Sequence, residues 1–127
     1  MTILVVDDEP DVQPLFEQKF RKERKAGVLD FHFAFSGEAA LDYVQDQGGV
    51  DLVLILADIN MPGMSGLELL KRIKARFAHL TIYMITAYGD ENNYQQAMAY
   101  GADDYITKPI DFDELKNKIA NLYGKAQ

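Results

Sequence analysis

The chain of 127 residues is long enough for one domain that buries roughly two-thirds of its unfolded surface. Its 20 acidic residues outnumber 13 Lys and Arg, and the formal charge of −7 argues against nucleic acid or an anionic membrane as the main partner. Cysteine is absent, which excludes disulfides and thiolate metal sites, and no apolar run approaches the ~20 residues of a membrane span.

The first apolar run, residues 3–6, reads as a strand and ends abruptly in Asp7, Asp8, Glu9 and Asp11. Like charges about 4 Å apart repel by roughly 4 kcal/mol per pair at an effective dielectric near 20. Acids crowded this way must be solvated, protonated or neutralised by a cation. Val12, Leu15, Phe16 and Phe20 then keep helical spacing. Pro14 would break a helix interior, so the helix starts near Asp11 with Pro14 in its first turn.

"RKERKAGVLDFHF" is a long, basic connection to a second strand at residues 31–35, and "FRKERK" reads as a solvated helix face. Ala39, Ala40, Tyr43 and Val44 form the second helical stripe. The third strand, residues 52–57, is continuously apolar and slightly long, and it runs into Asp58, where a carboxylate needs a reason. "MPGMSG" is turn chemistry, with Gly63 and Gly66 permitting the backbone turns. Leu67, Leu69, Leu70, Ile73 and Phe77 mark a third helix, and residues 82–86 a fourth strand ending at Thr86-Ala87.

A weaker fourth helix carries Tyr94, Ala97 and Met98. A fifth strand spans residues 104–107 and ends at Lys108-Pro109. Phe112, Leu115, Ile119 and Leu122 form the last helix, with Asp111 as N-cap and Glu114 three residues on. His32 and His79 have no second ligand nearby in sequence. Met61, Met64, Met84 and Met98 read as packing.

Strict strand–helix alternation implies an α/β fold: a doubly wound, five-stranded parallel sheet with five helices and the flavodoxin-like order 2-1-3-4-5. Function in such sheets gathers beyond the carboxyl ends of the strands. There the fold would bring together Asp7, Asp8, Asp58, Thr86 and Lys108. A single lysine cannot offset three carboxylates, whereas a hard divalent cation can, and a site with few protein ligands suits Mg²⁺. Asp58 then stays ionised and can act as a nucleophile toward phosphorus.

"VVDDEPD", "DINMPGMSG", "ITAY" and "YITKPI" resemble, in order and spacing, the signature blocks of the response-regulator receiver domain. The resemblance covers essentially the whole chain. It implies that Asp58 is the phosphoacceptor and that Asp8 and Asp58 bind Mg²⁺ through their side chains, Asn60 through its backbone carbonyl. Asp7 would hold metal-bound water. Thr86 and Lys108 would each contact a phosphoryl oxygen, with Ala87 next to Thr86, and Tyr105 would be the switch aromatic. Pro109 would follow a cis peptide. Tyr88 and Asn60 would flank the phosphoryl group, and a bulky Tyr88 should hinder attacking water and lengthen the life of the acyl phosphate.

The resemblance further implies a phosphorylation switch in two-component signalling rather than an enzyme with a separate substrate. Its donor would be a sensor histidine kinase or histidine phosphotransfer protein. Its output would be a changed face of the fourth helix, fifth strand and fifth helix, read by a downstream effector, and the protein itself would be a monomer or a phosphorylation-linked dimer. Residues 1–127 would be a single receiver domain with no output domain visible, and "MTILVV", lacking a secretory signal, fits the cytoplasm.

Three rivals remain. A haloacid-dehalogenase-type phosphatase needs its nucleophile after the first strand in a D-x-D arrangement, whereas the better nucleophile here follows the third. A flavodoxin needs a phosphate loop rich in Ser, Thr and Gly where this chain has acids. A non-phosphorylated pseudo-receiver interaction module typically loses acids or the lysine, and all are present.

Overall fold

Ile3 and Val5 project from one side of the first strand, Leu4 and Val6 from the other, and all four are buried. A strand covered on both faces can afford no polar side. In the computed structural model, which describes residues 1–47, 51–87 and 89–126, that strand is β1 (Thr2–Val6). It joins β2 (Asp30–Ala34), β3 (Leu52–Asp58), β4 (Ile82–Thr86) and β5 (Asp104–Thr107) in one parallel sheet ordered β2-β1-β3-β4-β5. This is the expected doubly wound order.

The helices are α1 (Val12–Lys19), α2 (Arg21–Lys25), α3 (Gly37–Gln47), α4 (Gly66–Arg76), α5 (Glu91–Ala99) and α6 (Phe112–Ala126). Leu4, Val6, Ile55, Ala57, Ile82 and Met84 meet α3, α4 and α5 through Val44, Leu70, Ile73 and Ala97. Ile3, Val5, Leu54, Leu56, Tyr83 and Ile85 meet α1 and α6 through Phe16, Leu115 and Ile119. Each fully buried side chain of this kind contributes roughly 1.5–3 kcal/mol, so both faces hold the sheet.

The long third strand is explained by a bulge. Thr2 pairs with Leu52 but Ile3 pairs with Leu54, so Val53 is the extra residue. Val53 and Leu54 consequently lean toward the same helical layer before alternation resumes. A one-residue slip without this bulge would turn the rest of β3 over, Asp58 included.

Among the described residues the five expected helices are joined by a short sixth. The basic segment forms its own short helix, α2, because Phe20 leaves helical geometry (φ −108°, ψ 25°) while its N–H still donates to the Phe16 carbonyl at 3.0 Å. The break lets Phe16 and Phe20 both bury fully with stacked rings 6.0 Å apart. Glu23 of α2 then pairs with Lys116 of α6 at 3.3 Å. Pro14 sits in the first turn of α1, as expected, and the Asp111 carboxylate accepts from Glu114 N–H at 3.2 Å.

Three smaller expectations are corrected. β2 runs one residue earlier than predicted, leaving Phe35 exposed beyond its end. Leu15 and Met98, read as core, are each 40% exposed, since their helices bury only the neighbouring Phe16 and Ala97. Gly66 adopts no left-handed turn. It is needed because a Cβ there would lie 2.1 Å from the Asp58 carbonyl oxygen. Gly63, at φ +72°, is a true turn glycine.

Candidate phosphoacceptor site

Among the described residues the only buried polar or charged side chains are Asp7, Asp58 and Thr86, exposed by 4, 3 and 4%. Each stands at the carboxyl end of a central strand: Asp7 just after β1, Asp58 closing β3, and Thr86 closing β4. Each aspartate folds its own turn. Asp7 Oδ1 accepts from Glu9 N–H at 3.0 Å, and Asp58 Oδ1 from Asn60 N–H at 3.1 Å. Gly66 N–H donates to the Ile59 carbonyl at 2.9 Å, which draws the start of α4 against the peptide that carries Asp58.

Carboxylate oxygens of Asp7, Asp8 and Asp58 all lie within 4.8 Å of one another. Lys108 enters from the end of β5, where its N–H donates to the Thr86 carbonyl at 2.8 Å and its Nζ reaches Asp58 Oδ2 at 2.6 Å. The Lys108–Pro109 peptide is cis. The structure therefore brings together the three acids, Lys108 and the Thr86 strand end. Asn60 and Ala87 are exposed at the rim. Tyr105 lies on β5 with 38% of its surface exposed. Tyr88 lies outside the described residues.

Burial pushes the Asp7 carboxyl above its ordinary range; the Glu9 N–H and Lys108 work against this, and the negative charges of Asp58 and Asp8 reinforce it. For Lys108 burial is the largest single influence and lowers its pKa. The hydrogen bond to Asp58 and the charges of Asp58, Asp7 and Asp8 together outweigh it, so the ammonium is held above its usual value. Three oxygen-donor acids against one cation, with no sulfur or imidazole donor, form a set that suits a hard divalent ion.

The chain matches the family model described as "Response regulator receiver domain" over residues 3–120. It belongs to that family. Sporulation initiation phosphotransferase F of Bacillus subtilis is 37% identical over 117 residues, covering 92% of this chain and 89% of that protein. Response regulator RppA of Synechocystis is 34% identical and aligns with 99% of this chain, which spans only 52% of that longer relative. A receiver domain from Clostridium thermocellum superposes with a TM-score of 0.85 at 26% identity, covering 98% of this chain and 95% of that one. Response regulator TrrA from Thermotoga maritima, solved in complex with Mg²⁺–BeF, has a TM-score of 0.79 at 35% identity, with coverage of 95 and 97%.

Two features of this receiver domain escaped the sequence reading. Val12, Leu15, Pro109, Ile110 and Phe112 line a groove of about 690 Å³ together with Asp7, Glu9, Asp11 and Lys108. The exposed Leu15 was its only sequence-level trace, an apolar residue in a stripe that the core did not need. Tyr94 of α5 packs on Tyr105, a contact between elements that periodicity cannot report.

Proposed function

We propose that this domain is a phosphorylation-dependent switch that accepts a phosphoryl group on Asp58 in a magnesium-dependent reaction. One observation carries the reading: the Asp58 carboxylate, almost fully buried beside two other acids, meets the Lys108 ammonium at 2.6 Å. A structural ion pair needs no second and third carboxylate. A phosphoryl-transfer site needs both the acids and the cation.

Magnesium bound by Asp8, Asp58 and the Asn60 carbonyl, with Asp7 on its water shell, would supply neutralising charge for the acids and the incoming phosphoryl group. Asp58 attacks phosphorus as the P–N bond of a phosphohistidine breaks. The imidazole departs, and an acyl phosphate forms on the carboxylate. Lys108 passes from Asp58 Oδ2 to a phosphoryl oxygen, and the Thr86 hydroxyl donates to another. Tyr105 turns into the space beside Thr86, and the α5–β5–α6 face changes shape. That face corresponds to the predicted fourth-helix, fifth-strand and fifth-helix surface.

The donor in this reading is a histidine kinase or phosphotransfer protein in the cytoplasm, and the α5–β5–α6 face addresses a downstream effector. The domain catalyses only its own phosphorylation and dephosphorylation. Phosphate acts by favouring one of two arrangements already accessible to the chain.

Intact mass after incubation with Mg²⁺ and acetyl phosphate tests the reaction. The wild type should gain one phosphoryl group that hydroxylamine removes, and Asp58→Ala should gain none. An adduct that persists in Asp58→Ala, or a wild type that takes up nothing, overturns the proposal and favours a pseudo-receiver.

A further inference from the structure

Tyr94 and Tyr105 meet edge to face, with ring centroids 4.4 Å apart and planes inclined at 71°. This is the arrangement that aromatic quadrupoles favour. The contact joins α5 to β5 at the side of a cleft of about 350 Å³, lined by Thr86, Ala87, Asp90, Tyr94, Tyr105 and Thr107. Tyr105 is 38% exposed where it lines this cleft, so its ring is not locked by enclosure, and its aromatic partner bears on where it rests.

Helix α5 is lightly anchored. Ala97 is its one buried residue, against four in α4. A helix with so little apolar burial leaves the Tyr94 contact a large share of what joins α5 to the exposed face of β5.

We infer that Tyr94 is a positioning residue that retains Tyr105 at the surface and so sets the resting balance of the switch. The inference rests on the reading of Asp58 and Tyr105 above and adds to it the residue that opposes activation. An edge-to-face pair is worth about a two- to tenfold bias between two arrangements. If the inward arrangement is the minor one at rest, removing the bias raises affinity for anything that selects it by the same factor.

The probe is Mg²⁺–beryllofluoride, added to the 127-residue chain carrying 3-fluorotyrosine, with the Tyr105 fluorine resonance assigned by its loss in Tyr105→Phe. In the wild type this resonance should move as the reagent binds. In Tyr94→Ala it should start nearer the bound position, and beryllofluoride should bind about two- to tenfold more tightly at unchanged Mg²⁺ affinity. Tyr94→Leu, which keeps apolar volume without the ring, should behave like Tyr94→Ala, while Tyr94→Phe should match the wild type. A wild type whose Tyr105 signal ignores beryllofluoride overturns the switch and this inference together. A normal wild-type response with Tyr94→Ala and Tyr94→Leu indistinguishable from it, or with Tyr94→Phe no different from Tyr94→Ala, overturns the inference alone.

Discussion

Lys108 Nζ lies 2.6 Å from Asp58 Oδ2 although the two residues are 50 positions apart in the chain. The pair crosses from the end of β5 to the end of β3, over β4, and its two members are unequally solvated: Asp58 is buried, and the Lys108 side chain is 42% exposed. A half-exposed lysine over a buried acid can change partners at less desolvation cost than one buried with its partner.

Lys108→Ala should therefore leave the fold intact and slow phosphorylation of Asp58. Removal of one charge-stabilising donor from a reacting site typically costs about 10²–10³-fold in rate. Initial rates with acetyl phosphate, measured beside a Mg²⁺ titration, check this. A variant as fast as the wild type would show that the contact is structural only.

The raised pKa of Asp7 gives a pH dependence with a definite sign. A carboxyl that binds its proton more tightly in the folded state contributes stability that is complete below its unfolded pKa of 3.8. That contribution is lost as pH rises through the folded value. At neutral pH without metal, Asp7 is thus a burden, and Asp7→Asn should raise the melting temperature. Mg²⁺ at ten times its Kd should stabilise the wild type by about 1.4 kcal/mol, or roughly 4–7 °C for a domain of this size. The gain should shrink in Asp7→Asn and toward acid pH. Thermal melts at several pH values, with and without Mg²⁺, measure all of these effects.

Gly66→Ala should act on the same site from behind. The new Cβ would fall 2.1 Å from the Asp58 carbonyl oxygen and 2.7 Å from Ile59 Cα, both backbone atoms that cannot swing aside. Overpacking of this kind costs ~1–3 kcal/mol, and here the peptide that must move carries Asp58. Urea denaturation should show the loss, and phosphorylation should slow under conditions where the variant is still folded. Gly89→Ala is the control, because a Cβ there meets nothing within 4 Å and bears only the strain of its φ of +83°.

Tyr88, two residues past Thr86 in the sequence, should shield the acyl phosphate from water. Tyr88→Ala is expected to shorten the life of phosphorylated Asp58 severalfold at unchanged rates of phosphorylation. Loss of the phosphoryl mass with time after donor removal gives the answer. An unchanged decay rate would end the idea.

Sequence alone determined the strands, the acids at their ends and the family. Each of these is written locally: continuous apolar runs for β1 and β3, helical stripes for the crossovers, and four motifs in register. Burial on both faces makes a central parallel strand legible, because its interior positions must nearly all be apolar. Tertiary structure decided what depends on distant atoms competing for one space. Phe20 interrupts its helix because Phe16, Phe31 and Phe112 leave a place for its ring. Val53 bulges because β1 pairs past it, and Met98 is exposed because Ala97 already fills the contact with the sheet. Gly66 serves close approach rather than a turn. The Tyr94–Tyr105 contact exists only once α5 has docked beside β5. Periodicity reports which face of an element is apolar; which side chain wins a shared volume is settled only when the elements pack.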